Sequence, residues 1–120
     1  MLLDVKINGL DIKKGLLKYD NNEKYYLNVL RLYASSVRSM LKETEEFDKE
    51  KLFEYKIKIH GIKGASLDIY AESIGKEAND LERAIKSDDI NYIIKNNPAF
   101  QESAGKLVSD IENMLNGLEK

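Results

Sequence analysis

Apolar residues return at steps of three and four along nearly all of this 120-residue chain, and that spacing is the strongest constraint on its fold. Such a step stacks side chains on one face of an α-helix, whereas a half-buried strand needs alternation by two. Tyr26, Leu30, Tyr33, Val37 and Met40 or Leu41 make one stripe, widened by Val29 and Leu32. Leu52, Tyr55, Ile59, Ile62, Ser66 and Ile69 make a second, and Ile74, Ala78, Leu81 and Ile85 a third. Phe100, Ala104, Leu107, Ile111, Met114 or Leu115, and Leu118 make a fourth. Val5 to Ile7 alone reads as a short extended piece, and no segment repeats with a period of about 20 to 50 residues.

Start and stop signals divide these stripes. Asn8-Gly9 reads as a turn and Asp11 as the cap of a short helix to about Tyr19, with Ile12, Leu16 and Leu17 inward and Gly15 weakening its middle. Asp20 followed by Glu23 has the form of a capping box and opens a helix that reaches Glu43 or Thr44. Asp48 caps a third helix over residues 48–67, with Phe47 and Leu52 placed as a hydrophobic staple across the cap. A fourth runs over residues 71–86, with Gly75 as its weak point. After the turn Ser87-Asp88-Asp89, a short helical piece carries Ile90, Ile93 and Ile94 and is interrupted by Asn96-Asn97-Pro98. Asn97 as cap with Pro98 in the first helical position then starts the last helix, whose C-terminal end frays. The expectation is one all-α domain over residues 1–120: an antiparallel four-helix bundle with a short N-terminal helix capping one end.

Composition narrows the chemistry. With no cysteine and a single histidine, the chain has neither disulfides nor the ligands of an ordinary zinc or haem site, and only carboxylate sites stay open. Its apolar runs are a few residues long, far short of the roughly 20 that span a bilayer, and Asp4 directly follows the Met1-Leu2-Leu3 start. A cytoplasmic protein without signal peptide or membrane contact is expected. A net charge of −2 with 33% charged residues gives no general basic field for nucleic acid.

The lone histidine lies in His60-Gly61-Ile62-Lys63-Gly64-Ala65-Ser66, within the third helix. The core stripe of that helix turns Phe53, Lys56, His60, Lys63, Gly64 and Leu67 outward. Residues three and four apart share a face, so Lys63 and Gly64 lie beside His60: a nucleophile, a cation and bare backbone. Imidazole keeps a large neutral fraction near pH 7 and can attack without a dedicated base. Two glycines, Gly61 and Gly64, each disfavoured in a helix by roughly 1 kcal/mol, point to close approach by a large body. The plainer readings stand beside these: a surface histidine, a solvated lysine, a Gly64 that packs against a neighbouring helix, and a Phe53 and Leu67 that tuck into the bundle. Ser66 falls on the inward stripe, where a hydrogen bond suits it.

In this setting, residues 60–66 closely resemble the His-x-x-Lys-Gly-x-(Ser/Ala) signature of histidine-containing phosphotransfer (HPt) domains of two-component phosphorelays. The likeness extends over most of the chain, through Leu10-Asp11 to Gly15-Leu16, Glu23 to Tyr33, Ile69 at the helix break, and Leu81-Glu82 with Ser87-Asp88. Two departures are Tyr70, where many members have glycine, and the Asn96-Asn97-Pro98 interruption. The resemblance implies that His60 accepts a phosphoryl group from the aspartate of a response-regulator receiver and passes it to another receiver. Lys63 would steady the phosphoryl charge, Gly64 admit the receiver, and Ser66 support. Phe53, Lys56 and Leu67, with Lys58 extending a basic rim, would dock the partner. The chain would then be a monomeric phosphocarrier with no cofactor and no ATP site of its own, served by magnesium on the receiver, with a hybrid sensor histidine kinase as a further candidate partner. The alternative is a helical adaptor or scaffold that is never phosphorylated.

Overall fold

The computed structural model describes residues 2–118, with the side chain of residue 3 left aside. Among the described residues there are five α-helices: α1 (Ile12–Lys18), α2 (Glu23–Thr44), α3 (Leu52–Asp68), α4 (Glu72–Lys86) and α5 (Ile90–Leu118). There is no strand among them, and the piece read as extended contributes only an isolated bridge between Ile7 and Leu10. Of the longer helices, α2 packs against α3 and α5, and α4 packs against α3 and α5, so each has two helical neighbours. No helix among the described residues is long and apolar enough to cross a membrane.

The four stripes supply the core, where Tyr26, Leu30, Ile59, Ile62, Ala78, Ile93, Ala104 and Ile111 are all fully buried. Two flanking positions assigned inward, Leu32 and Leu17, are exposed, because each lies at the edge of a stripe already filled by its neighbours. The start of α2 also differs: Asn22 is the cap, its side chain accepting from Tyr25 N, while Asp20 and Asn21 take left-handed backbone conformations that end the preceding turn. Freed from a capping box, Glu23 accepts a hydrogen bond from Leu2 N.

Helices α1, α3 and α4 end alike. The amide two residues past the cap bonds back to the third-last carbonyl, Asn21 N to Leu16 O, Ala71 N to Ser66 O and Asp89 N to Ala84 O. Each such ending needs one residue with positive φ, which is Asp20, Tyr70 or Asp88. Tyr70 therefore keeps the turn that glycine would make, at a cost of about 1–2 kcal/mol for a side chain in that region. Its carbonyl accepts the Asp11 amide, and Lys18–Asp68 and Lys14–Glu72 pairs at 2.8 and 3.6 Å hold α1 over the α3–α4 turn. Gly15 is more than a weak point, because a Cβ there would stand 2.5 Å from the ring and hydroxyl of the buried Tyr26.

The expected break at Asn96-Asn97-Pro98 is absent: α5 runs unbroken with Pro98 inside it. Asn97 is held by tertiary contacts instead of capping. It is buried, accepts from the Tyr55 hydroxyl at 2.7 Å and donates to Thr44 O at 2.9 Å, closing the C-terminal end of α2. Pro98 and the preceding turn's Ile94 are both exposed, so the place where the helix loses a backbone hydrogen bond lies on its solvent side. The piece over Ile90 is the first turns of the same helix, with Asp89 Oδ1 accepting from Tyr92 N. Fraying past Leu118 falls outside the described residues.

Two predictions follow from these contacts. Pro98→Ala restores an amide N–H within a continuous helix and raises the unfolding free energy by about 1–2 kcal/mol in urea denaturation, after allowance for the more flexible unfolded alanine chain. A helix that began at Pro98 would lose stability on the same change. Burial pushes the Tyr26 and Tyr33 phenols up to about 12, so the folded state holds these protons more tightly than the unfolded chain, whose tyrosines titrate near 10. Stability from this source is complete below pH 10 and is lost as pH rises through 12, which circular dichroism against pH will show as alkaline unfolding.

Candidate functional site

Helix α3 is seated by Tyr55, Ile59, Ile62 and Ser66, all buried. The Ser66 and Tyr33 hydroxyls lie 2.8 Å apart inside the protein, tying α3 to α2 on the side away from His60. The opposite side of α3 shows Phe53, Ile57, His60, Gly64 and Leu67, at steps of four, three, four and three. Phe53 is 70% exposed, Ile57 51% and Leu67 46%, so this face is apolar around the histidine. Ile57 is a member that the outward assignment of Lys56 leaves out.

The His60 side chain is 72% exposed, with Nδ1 3.0 Å from Oε1 of Glu82 on α4. Lys63 Nζ lies 3.6 Å from the same oxygen, and both Lys63 and Glu82 are largely covered. An ionised carboxylate can only accept, so Nδ1 carries the hydrogen and donates it. In the neutral ring the lone pair is then on Nε2, which has no hydrogen-bond partner among the described residues. One carboxylate thus sets the tautomer of the histidine and anchors the neighbouring ammonium, leaving an oriented nitrogen nucleophile at the surface.

Other residues singled out by spacing fall on both sides of this arrangement. No atom of neighbouring elements lies within 4 Å of the position a Gly64 Cβ would take, which removes the reading of Gly64 as a packing glycine. Gly61 is overlaid by Met40, whose Sδ would stand 2.9 Å from a Cβ. Lys56 is exposed with no carboxylate partner among the described residues, whereas Lys58 pairs with Glu43 of α2 at 2.9 Å, on the flank away from Glu82. Among the described residues no three His, Asp or Glu side chains gather as a metal site. A groove of about 830 Å³, lined by residues 5–13 with Tyr70, Glu72 and Ser73, lies at the α1 end and includes neither His60 nor Lys63.

Glu82 is the residue that the sequence reading passed over. It enters the sequence pattern only as the neighbour of Leu81 in the α4 stripe, with no role at the site. A signal did exist: His60 precedes the Tyr70 turn by about as many residues as Glu82 follows it, so a tight helical hairpin brings the two level. Compared with protein-family models, with curated proteins and with solved structures, the chain finds no match.

If Glu82 fixes the ring, Glu82→Ala releases it. Imidazole ¹⁵N shifts of the neutral protein, which should report a single tautomer with hydrogen on Nδ1, become those of a tautomer mixture in the variant. Unchanged shifts would remove Glu82 from this role.

Proposed function

We propose that this chain is a histidine phosphotransfer domain, an antiparallel four-helix bundle capped at one end by α1, that carries a phosphoryl group on His60 between receiver domains. The observation that supports it most is the state of His60: an exposed ring, held at Nδ1 by Glu82, on a low apolar face with Lys63 beside it. The resemblance of His60, Lys63 and Gly64 to the phosphotransfer signature supports the same reading.

The chemistry asks little of the chain itself. The Nε2 lone pair forms a P–N bond while the P–O bond to the receiver's aspartate breaks, and that aspartate leaves as a carboxylate with the bonding pair. The Nδ1 hydrogen stays in place, so the new positive charge on the ring lies against Glu82. Onward transfer reverses these steps. Phosphoryl transfer depends on positioning and charge stabilisation, with the Lys63 ammonium meeting the phosphoryl oxygens as a mobile point charge. Magnesium and the aspartate pocket come with the receiver. Gly64 leaves room for that pocket, Phe53, Ile57 and Leu67 give it an apolar seat, and Lys56 steers it. Ser66 acts at a distance by holding α3 to α2. The domain works as a cytoplasmic monomer without its own kinase site.

The decisive experiment incubates the chain with a receiver phosphorylated on its aspartate, in the presence of magnesium. Acid-labile, base-stable phosphate is expected on the wild type and none on His60→Gln. Gly64→Ala, whose Cβ meets no neighbouring atom, should stay folded with a similar Tm yet lose at least about tenfold in transfer rate, as misplacement of reacting groups predicts. Label retained by His60→Gln, or absent from the wild type with every receiver tried, would leave an unphosphorylated scaffold as the better reading.

A further inference from the structure

We infer that Gly75 is a specificity-determining position for receiver docking, acting through Leu67. This rests on the phosphotransfer reading above. Gly75 is buried in α4, and a Cβ there would stand 2.5 Å from Leu67 Cδ2 and 2.9 Å from its Cγ. Leu67 lies on the outward side of α3, about two turns or roughly 10 Å from His60. It is neither core nor fully solvated, being 46% exposed. The leucine is therefore half sunk into a notch in α4 that exists because residue 75 has no side chain. Between it and His60 the surface is Gly64, with open space where a Cβ would be. Sunken leucine and bare glycine together make a low apolar shelf leading to the imidazole.

An alanine at position 75 would fill the notch. Ordinary contact for a Cβ is 3.4–4 Å, so Leu67, whose other side is solvent, must rise by about 1 Å or swing to another rotamer. The core residues Ile59, Ile62 and Ala78 are not the atoms in conflict, and alanine is better than glycine in a helix by about 1 kcal/mol, so the variant folds. A receiver that brings its aspartyl phosphate to Nε2 has to lie over this shelf. Misplacement of reacting groups by about 1 Å costs up to roughly 100-fold in rate. Gly75 thus sets the height of the shelf, and with it admits receivers whose docking face is flat and apolar opposite Leu67.

Two phosphodonors separate docking from chemistry. Phosphoramidate is small enough to reach Nε2 without touching the shelf, and it labels the ring as its own P–N bond breaks and ammonia leaves. The second donor is the aspartyl-phosphorylated receiver that labels the wild type. For Gly75→Ala, phosphoramidate labelling should stay within about twofold of wild type, with kcat/KM for transfer from the receiver falling at least about tenfold. The double variant Gly75→Ala/Leu67→Ala should regain the rate of Leu67→Ala alone, since the residue being lifted is gone. Receiver transfer by Gly75→Ala at the wild-type rate overturns the inference and leaves the phosphotransfer reading standing. So does an equal loss with both donors, or a double variant slower than Leu67→Ala alone. A wild-type chain labelled by phosphoramidate but by no receiver removes the reading and the inference together.

Discussion

Helix α3 carries apolar residues on two opposite sides, and its seating against α2 and α4, with a hydrogen bond to α5, decides which side meets solvent. Ile59 and Ile62 are fully buried, and two internal hydrogen bonds, Tyr33 with Ser66 and Tyr55 with Asn97, pin the same side. Turning α3 by one residue would expose two isoleucines worth about 1.5–3 kcal/mol each and leave buried hydroxyl and amide groups unpaired, at roughly 1–3 kcal/mol apiece. Burying Phe53 or Ile57 in exchange cannot recover the hydrogen bonds. The exposure of His60 is a consequence of that balance, because it lies across the helix from the pinned side.

Periodicity made the five helical regions and most of the core legible in the sequence, since burial of one helix face is a local pattern. It failed where a tertiary contact outweighs a local signal. Asn97-Pro98 has the form of a helix start, yet the Asn97 amide is engaged between Tyr55 and Thr44 and Pro98 sits on the exposed side, so α5 continues. Gly15 and Gly75 read as helix-weakening residues, whereas each is the contact point at which another helix's side chain is admitted, Tyr26 in one case and Leu67 in the other. A glycine's neighbours across a helix interface leave no trace in its own stripe.

The candidate site divides along the same line. His60, Lys63 and Gly64 could be read from spacing, since one turn of helix places them together whatever surrounds it. Neither Glu82 nor Ile57 follows from one turn of helix alone. Glu82 reaches His60 only through the register of α4 against α3, which the turn at Tyr70 sets, and Ile57 is outward only once the exact rotation of α3 is known.

The two contacts made by Glu82 differ in a way that bears on the proposed phosphotransfer. The bond to His60 Nδ1 is short, 3.0 Å, while the pairing with Lys63 is loose at 3.6 Å, on a flexible stem. In the phosphotransfer reading, Lys63 can therefore exchange the carboxylate for an arriving phosphoryl group. In that reading the histidine keeps its carboxylate through the same event, and Glu82 remains to face the charge gained by the ring. In the phosphotransfer reading, one carboxylate therefore serves both the empty and the loaded histidine without rearrangement of the helices. That small difference between states is what the proposed transfer in either direction requires, and under that proposal it leaves the larger share of catalysis to the receiver.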